Sequence, residues 1–404
     1  MSASLLYRAF CIRGYRYRST RFEKGEIVFV IEAPRESLRC PACEGDHVHV
    51  IERFRRRWRA VPIGHRTVWI EMEVPRVECQ LCGSRRRVPV TFAEPKVQRT
   101  RAFERYVGEL LCFMTVQDIS LHLGLSWDTV NAIQKKRLNK TFGRPKLKHL
   151  KRLAIDEIHV GKRHRFVTLV VDLDSGAVVF VGRGRRADTL KPFWKRLRSS
   201  GAKVRAVATD MARGYIAAVR KNLLGARLVL DRFHVVKRLN EKLTELRREL
   251  YREANDGLFK QALKGTRWLL LKNFENLDEA RDEHDRLHQA LELNEPLAIA
   301  YYLKEELRGF WERPDRSSAS RFLTSWCRRA DASGIRILRQ FARTLRSHRE
   351  ALLAWYSDPI STGPLEGLNN RIKLMQRRAY GYRDFELFKL RILSLHTTRF
   401  ELVG

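Results

Sequence analysis

The sequence predicts a multidomain chain combining α+β and α/β parts, and three observations predict it. Two Cys-x-x-Cys pairs lie near the N-terminus, Cys40/Cys43 and Cys79/Cys82. Three strand-like runs within Leu153–Val181 are followed by two more that alternate with helical segments. Strand signals then stop from Val235 to Ser357, where leucines recur at helical spacing.

At 404 residues the chain exceeds one ordinary hydrophobic core, so about two to four domains are expected. Eighty Lys+Arg oppose 46 Asp+Glu, a net charge of +34. Counterion release makes such a surface a general binder of nucleic acid. An anionic membrane is the competing partner, but no basic amphipathic helix or lipidation motif supports it. No apolar run is long enough to cross a bilayer and no secretory leader is evident, so a cytoplasmic, nucleoid-associated protein is expected. The charge is uneven. Arg53–Arg59, Arg85–Arg87, Arg144–Arg152 and Arg183–Arg186 are basic runs, whereas Glu275–Glu306 holds ten acidic and three basic residues. That acidic stretch is expected to serve subunit contact or to shield DNA from the wrong face.

Residues 1–94 read as a zinc ribbon. Cys40-Pro-Ala-Cys43 and Cys79-Gln-Leu-Cys82 supply four thiolates for a tetrahedral structural Zn²⁺. Ile27–Ile31 reads as a strand, and Arg57–Ile63 and Thr67–Val74 read as strands between the two pairs. Disulfides or a redox Cys-x-x-Cys are the competing readings. Both fit poorly with a reducing compartment and no surrounding βαβ pattern. His47 and His49 could replace a ligand, although four cysteines already close the site. Cys11, Cys112 and Cys327 are isolated.

Residues 95–150 read as a helix-turn-helix domain with a basic linker. A helix from Arg101 carries Phe103, Val107, Leu110, Leu111 and Met114 on one face. In Val116–Ile133, Ile119 and Leu123 share a face, Gly124 permits a turn, and Ser126 can cap a second helix carrying Val130 and Ile133. Trp127, Asp128, Asn131, Gln134 and Lys135 are then the exposed candidates for a DNA groove. A plain helical hairpin has the same pattern; the basic Lys135–Arg137 run favours DNA.

Residues 151–234 begin with an antiparallel meander whose first strand carries Asp156. Val204–Ala208 leads to Asp210, Tyr215–Leu224 is helical, and Arg227–Leu230 leads to Asp231. A meander followed by strands joined through a helix is a ribonuclease-H-like layout. Residues 235–357 read as an all-helical insertion, and residues 358–404 as the domain's last part. There Pro364 suits a first helical turn, and Glu366, Asn370, Lys373 and Arg377 share one helix face. Phosphodiester cleavage can be run by two hard cations held by carboxylates. Asp156, Asp210 and Glu366 are the candidate Mg²⁺ (or Mn²⁺) ligands. Asp231 competes with Asp210, and with His234 it otherwise supports the site. Glu157 points to the other strand face and reads as structural, while Asp172 and Asp174 read as turn residues.

These motifs resemble the DDE transposases of bacterial insertion sequences, specifically the ISL-three family. The resemblance rests on CPAC…CQLC, the helix-turn-helix, AIDE, ATDM, LVLDRFHVVKRLN and GPLEGLNNRIKLMQRRAYGYR. It implies a catalytic triad of Asp156, Asp210 and Glu366. It also implies binding of terminal inverted repeats through ribbon and helix-turn-helix, metal-dependent cleavage, and attack of the freed 3′-OH on target DNA. A homodimer or larger synaptic assembly follows from joining two ends. A DNA-binding regulator on a retired scaffold and a structure-specific nuclease are the alternatives.

Overall fold

The computed structural model describes residues 3–161, 165–254, 257–264 and 266–397. The chain forms two compact units, Met1–Thr141 and Phe142–Thr397.

In the first unit, α1 (Ala3–Phe10) precedes β1 (Arg16–Glu23), β2 (Glu26–Glu32), β3 (Val48–Ile63), β4 (Arg66–Cys79) and β5 (Arg85–Arg87). The sheet order is β1-β2-β4-β3, with β5 also on β4. Strands β3 and β4 are longer than the sequence predicts. Their apolar positions alternate, so Trp58, Ala60, Val68, Ile70, Met72 and Val74 face one core with Phe29 and Phe92. Arg55 and Arg57 of β3 face away and are neutralised there. Glu71, only 4% exposed, lies opposite Arg57 in register and pairs with Arg21, Arg55 and Arg57, each at 2.6 Å. This ion cluster holds β1, which the sequence does not announce, to the centre of the sheet.

Three helices follow: α2 (Arg101–Leu110), α3 (Val116–Leu123) and α4 (Trp127–Phe142). Each start is defined chemically. Thr100 accepts from the Phe103 amide, Thr115 and Asp118 form a capping box, and Ser126 accepts from the Thr129 amide. Gly124 takes the left-handed conformation (φ 62°) that ends α3 and turns the chain. Phe103, Val107, Leu111, Ile119, Leu123, Val130 and Ile133 are the shared core.

The second unit is built on a five-stranded sheet: β6 (Arg152–His159), β7 (Phe166–Asp172), β8 (Val178–Arg183), β9 (Ala206–Thr209) and β10 (Arg227–Leu230), in the order β10-β9-β6-β7-β8. Strands β6 to β8 are antiparallel; β9 and β10 run parallel to β6. Helices α5 (Lys191–Ser200) and α6 (Arg213–Asn222) supply the crossovers. Residues 144–152, expected as a connector, are partly built into this unit, because Leu147 and Leu150 are buried in its core. After β10, the described residues form α7 (Arg232–Glu253), α8 (Gly257–Leu263), α9 (Arg267–Leu271), α10 (Glu283–Glu292), α11 (Glu295–Leu307), α12 (Arg316–Ala332), α13 (Arg336–Ser347) and α14 (Arg349–Leu353), with short 3₁₀ turns. The chain then returns to the sheet through α15 (Gly363–Arg378) and α16 (Phe385–Ser394). Among the described residues, no helix is long and apolar enough to cross a membrane.

Strand alternation gives the sheet two packed faces. Leu153, Ile155, Val207 and Leu230 join the core with α5, α6 and α7, whereas Ala154, Ile158, Ala208 and Val229 join the core with α15 and α16. The return is fastened by Asp358. Its buried carboxylate accepts from Arg205 at 2.6 and 2.8 Å, just before β9, and from Arg227 at the start of β10. Burial alone would raise the pKa of this carboxyl; the bonds from Arg227 and Arg205 outweigh it and hold it below the usual range. Asp358→Asn is therefore expected to cost about 2 kcal/mol at neutral pH by urea denaturation, less than a fully buried pair because both guanidinium groups are half exposed. The depressed value sets the sign. The contribution is complete above the unfolded value of about 3.9 and is lost as pH falls through the lower folded value, so wild type and variant should converge in acid.

Candidate functional site

Parallel pairing places Ile155 beside Thr209 and Thr209 beside Leu230. The next residue on each strand is an aspartate, so Asp156, Asp210 and Asp231 line up across three neighbouring strands where β9 and β10 end. The three carboxyl groups differ in environment.

Asp156 is 9% exposed and lies on the sheet face that α15 covers. Its Oδ2 accepts from Asn369 Nδ2 on α15 at 3.3 Å, and its Oδ1 accepts from the Glu157 amide at 2.7 Å. Burial pushes its pKa up and the charge of Asp210 adds to that, against the Glu157 amide, His234 and Asn369, which favour the carboxylate. Asp210 is half-buried and accepts from the Ala212 amide at 3.0 Å. Asp231 is 1% exposed and both its oxygens are engaged. One accepts from the His234 amide at 3.4 Å, capping α7; the other accepts from the Thr362 amide at 2.9 Å, immediately before α15. His234, half-buried on the first turn of α7, is near enough for its charge to act on Asp156.

Glu366 stands in the first turn of α15, exposed and one turn ahead of Asn369. Among the described residues, the oxygens of Asp156, Asp210 and Glu366 are not grouped within 4.8 Å of one another; the four cysteines alone meet that separation. Asn370, Lys373 and Arg377 are exposed along the same helix. Asn369, which the sequence does not single out against Asn370, is the residue that reaches the sheet. The signal for it is its position three residues after Glu366, bordering the packed Leu365–Leu368–Ile372 face. Glu157 does point to the opposite face, but it is not remote from the carboxyl groups. Tyr215 Oη on α6 donates to it at 3.4 Å, and after burial the charges of Asp210 and Asp156 also raise its pKa.

In the first unit, the sulfurs of Cys40, Cys43, Cys79 and Cys82 lie within 4.8 Å of one another. Cys40–Cys82 and Cys43–Cys79 are 3.7 and 3.6 Å apart, close to the roughly 3.8 Å edge of a tetrahedron with Zn–S bonds of about 2.3 Å. The two knuckles are built alike: the residue after each second cysteine, Glu44 (φ 61°) and Gly83 (φ 69°), is left-handed. Hydrogen bonds from Ser84 and from the Ala42 amide hold the Cys40 thiol down to about 6, while, against the Gly45 amide, the neighbouring Cys82 and Cys79 sulfurs push Cys43 up to about 12, so four thiolates this close need a cation among them. The set fits a structural Zn²⁺.

On α4, Trp127 and Asp128 are exposed and Asn131 and Lys135 are half-buried. Gln134 is not an exposed candidate: at 7% exposure it is buried, because it lies one helical turn from Val130 on the packed face.

Three segments match family models. Residues 36–82 match the zinc-finger of transposase IS204/IS1001/IS1096/IS1165, residues 88–138 the helix-turn-helix domain of transposase family ISL3, and residues 153–392 the ISL3 transposase domain. The chain is 33% identical over 358 residues to the transposase for insertion sequence element IS1001 of Bordetella parapertussis, covering 87% of each protein. The chain belongs to the ISL3 family of transposases. A second relative, the transposase for IS1557 of Mycobacterium tuberculosis, is 29% identical over 374 residues, 86% of this chain and 83% of that one. A likeness to the Drosophila P element transposase strand transfer complex has a TM-score of 0.39 at 12% identity, over 76% of this chain and 94% of that one.

For this ISL3 transposase the zinc-finger match spans all four clustered cysteines. The purified protein is expected to carry about one zinc ion per chain, measured by atomic emission. Chelation should expose the amides of β3 and β4 to hydrogen exchange while those of β6 and β7 stay protected. Asp231→Ala leaves the buried Thr362 amide and the part-buried His234 amide unpaired and is expected to cost about 2 kcal/mol, with faster exchange at the Thr362 amide as its direct signature.

Proposed function

We propose that the sheet β6–β10 with α15 and α16 is a ribonuclease-H-like catalytic domain, interrupted by the helical insertion over residues 235–357, and that it runs DNA cleavage and strand transfer with Asp156, Asp210 and Glu366 as its catalytic acids. The observation that carries this reading is the register that sets Asp156 beside Asp210 while α15, the helix bearing Glu366, is bonded to Asp156 through Asn369. The donor set suits a hard divalent cation, Mg²⁺ or Mn²⁺: oxygen ligands only, and a buried carboxyl facing a second negative charge that a cation would relieve. Such an ion, when bound, stabilises charge on the attacked phosphate and acidifies the attacking oxygen.

The chain's own residues do the rest. Asn369 fixes the orientation of Asp156, and Asp231 holds the starts of α7 and α15 in place. His234, on the first turn of α7, is near enough for its charge to favour the Asp156 carboxylate. Asn370, Lys373 and Arg377 offer an exposed polar and basic row for a phosphate backbone leading into the site. Hydrolysis at an element's end and attack of the freed 3′-OH on target DNA are chemically alike, so one site can serve both. The ribbon and the helix-turn-helix, with Trp127, Asn131 and Lys135 on its second helix, bind the terminal inverted repeats. Two ends must be joined, which calls for a homodimer or larger synaptic assembly in the bacterial cytoplasm.

Purified protein incubated with a divalent ion and DNA carrying the element's ends should cleave and join them. Asp156→Ala is expected to lower both by about a thousandfold or more while leaving end binding intact. Undiminished cleavage in that variant would overturn the assignment; binding without any cleavage by the wild type would point to a regulator instead.

A further inference from the structure

The last turns of α7 segregate charge. Glu245 and Glu249 face α13, where both pair with Arg336. Arg247, Arg248, Tyr251 and Arg252 line a pocket on another side with Lys264, which follows α8. Arg247/Tyr251 and Arg248/Arg252 are each one turn apart, so the cations stack on one face. Among the described residues, no carboxylate lines this pocket. Arg247 donates to the Leu263 carbonyl at 3.0 Å, but its Nε is buried without an acceptor. Burial lowers its pKa, and the neighbouring charges of Arg248 and Arg267 lower it further. Beside them Arg267 stacks on Trp268, 4.8 Å from the ring centre, and that indole is 65% exposed. At Glu71 and Asp358, by contrast, buried charge is balanced by ion pairs within the chain. Here, among the described residues, cations line a pocket without a carboxylate, so their mutual repulsion favours an external anion.

We propose that this pocket, formed by Arg247, Arg248, Arg252 and Lys264 with Arg267 and Trp268 at its side, binds the phosphate backbone of duplex DNA, giving the helical insertion a DNA contact of its own. Contacts to phosphate carry affinity without sequence. The surface therefore fits DNA outside the recognised ends, whether flanking or target. The exposed indole and Tyr251 add the flat apolar contact that sugars and bases accept. The inference rests on DNA as the substrate of the proposed function, but not on the catalytic acids.

The test is binding of full-length protein to a duplex of unrelated sequence, without divalent metal, across a range of salt concentrations. The triple variant R248E/R252E/K264E should bind about tenfold or more weakly at moderate salt. Its plot of log affinity against log salt should be shallower by about two to three, near 0.9 for each phosphate no longer neutralised. The neutral variant R248Q/R252Q/K264Q should show the same weakening in smaller measure, and guards against misfolding of the charge-reversed one. Equal reversals at exposed Arg321, Arg328 and Arg339, on α12 and α13, control for net charge and should leave the slope nearer to wild type. Slopes unchanged from wild type in both pocket variants, or matched by the control, would overturn the proposal. A wild type that bound no duplex at all would overturn the proposed function with it.

Discussion

Two backbone amides, 128 residues apart in sequence, share one buried carboxylate, and the arrangement of the second unit depends on it. Asp231 receives His234 from the chain as it leaves the sheet and Thr362 from the chain as it comes back. The Thr362 amide is buried and the His234 amide partly so; each gains from a partner, and one side chain satisfies both. A few residues before Thr362, Asp358 makes the matching attachment at the other end of β9 and β10 through Arg205 and Arg227. The segment between them is thus held along the length of those strands. The start of α15, and with it the approach of Asn369 to Asp156, is fixed by these two anchors.

Charge is managed differently in the two units. In the first, a strand rich in arginine is tolerated because Glu71 sits under it, buried and shared among three guanidinium groups. Such a cluster leaves cationic surface on the outside while preventing the arginines from forcing the sheet apart. In the second, the carboxyl groups of Asp156, Asp210 and Glu157 crowd one region of the sheet, with His234 and Asn369 as counterweights to Asp156. Excess positive charge on the surface and crowded carboxyl groups at the strand ends are opposite solutions: the first suits a polyanion such as DNA, the second leaves burial and repulsion to raise the pKa values of Asp156 and Glu157.

Spacing and period make much of this legible. The cysteine pairs, the meander and the strand-terminal aspartates follow from residue type and repeat, and all recur in the structure. β1 does not show in the sequence, because RYRSTRFE has no apolar alternation; it exists through its pairing with β2 and the bond from Arg21 to Glu71. Gln134 looks exposed in the sequence because residue type cannot set helical phase, and packing of Val130 and Ile133 turns it inward. The same ambiguity of phase separates Asn369 from Asn370. Neighbours on a helix differ by about 100°, and only the seating of Leu365, Leu368 and Ile372 decides which one meets the sheet. That Asp231 bonds the return of the chain is not legible in the sequence, since its second partner, Thr362, lies far along it.

The late position of α15 has a consequence in time. During synthesis β6 to β10 emerge long before the helix that closes over Asp156, and the whole of α7 to α14 must be made in between. Until then Asp156 lacks the Asn369 amide and Asp231 lacks its second partner. Until then, too, the sheet face of Ala154, Ile158, Ala208 and Val229 lacks the core that α15 and α16 supply. The order of the residues along the chain thereby makes the closing of this sheet face, and the bond from Asn369 to Asp156, one of the last events of folding.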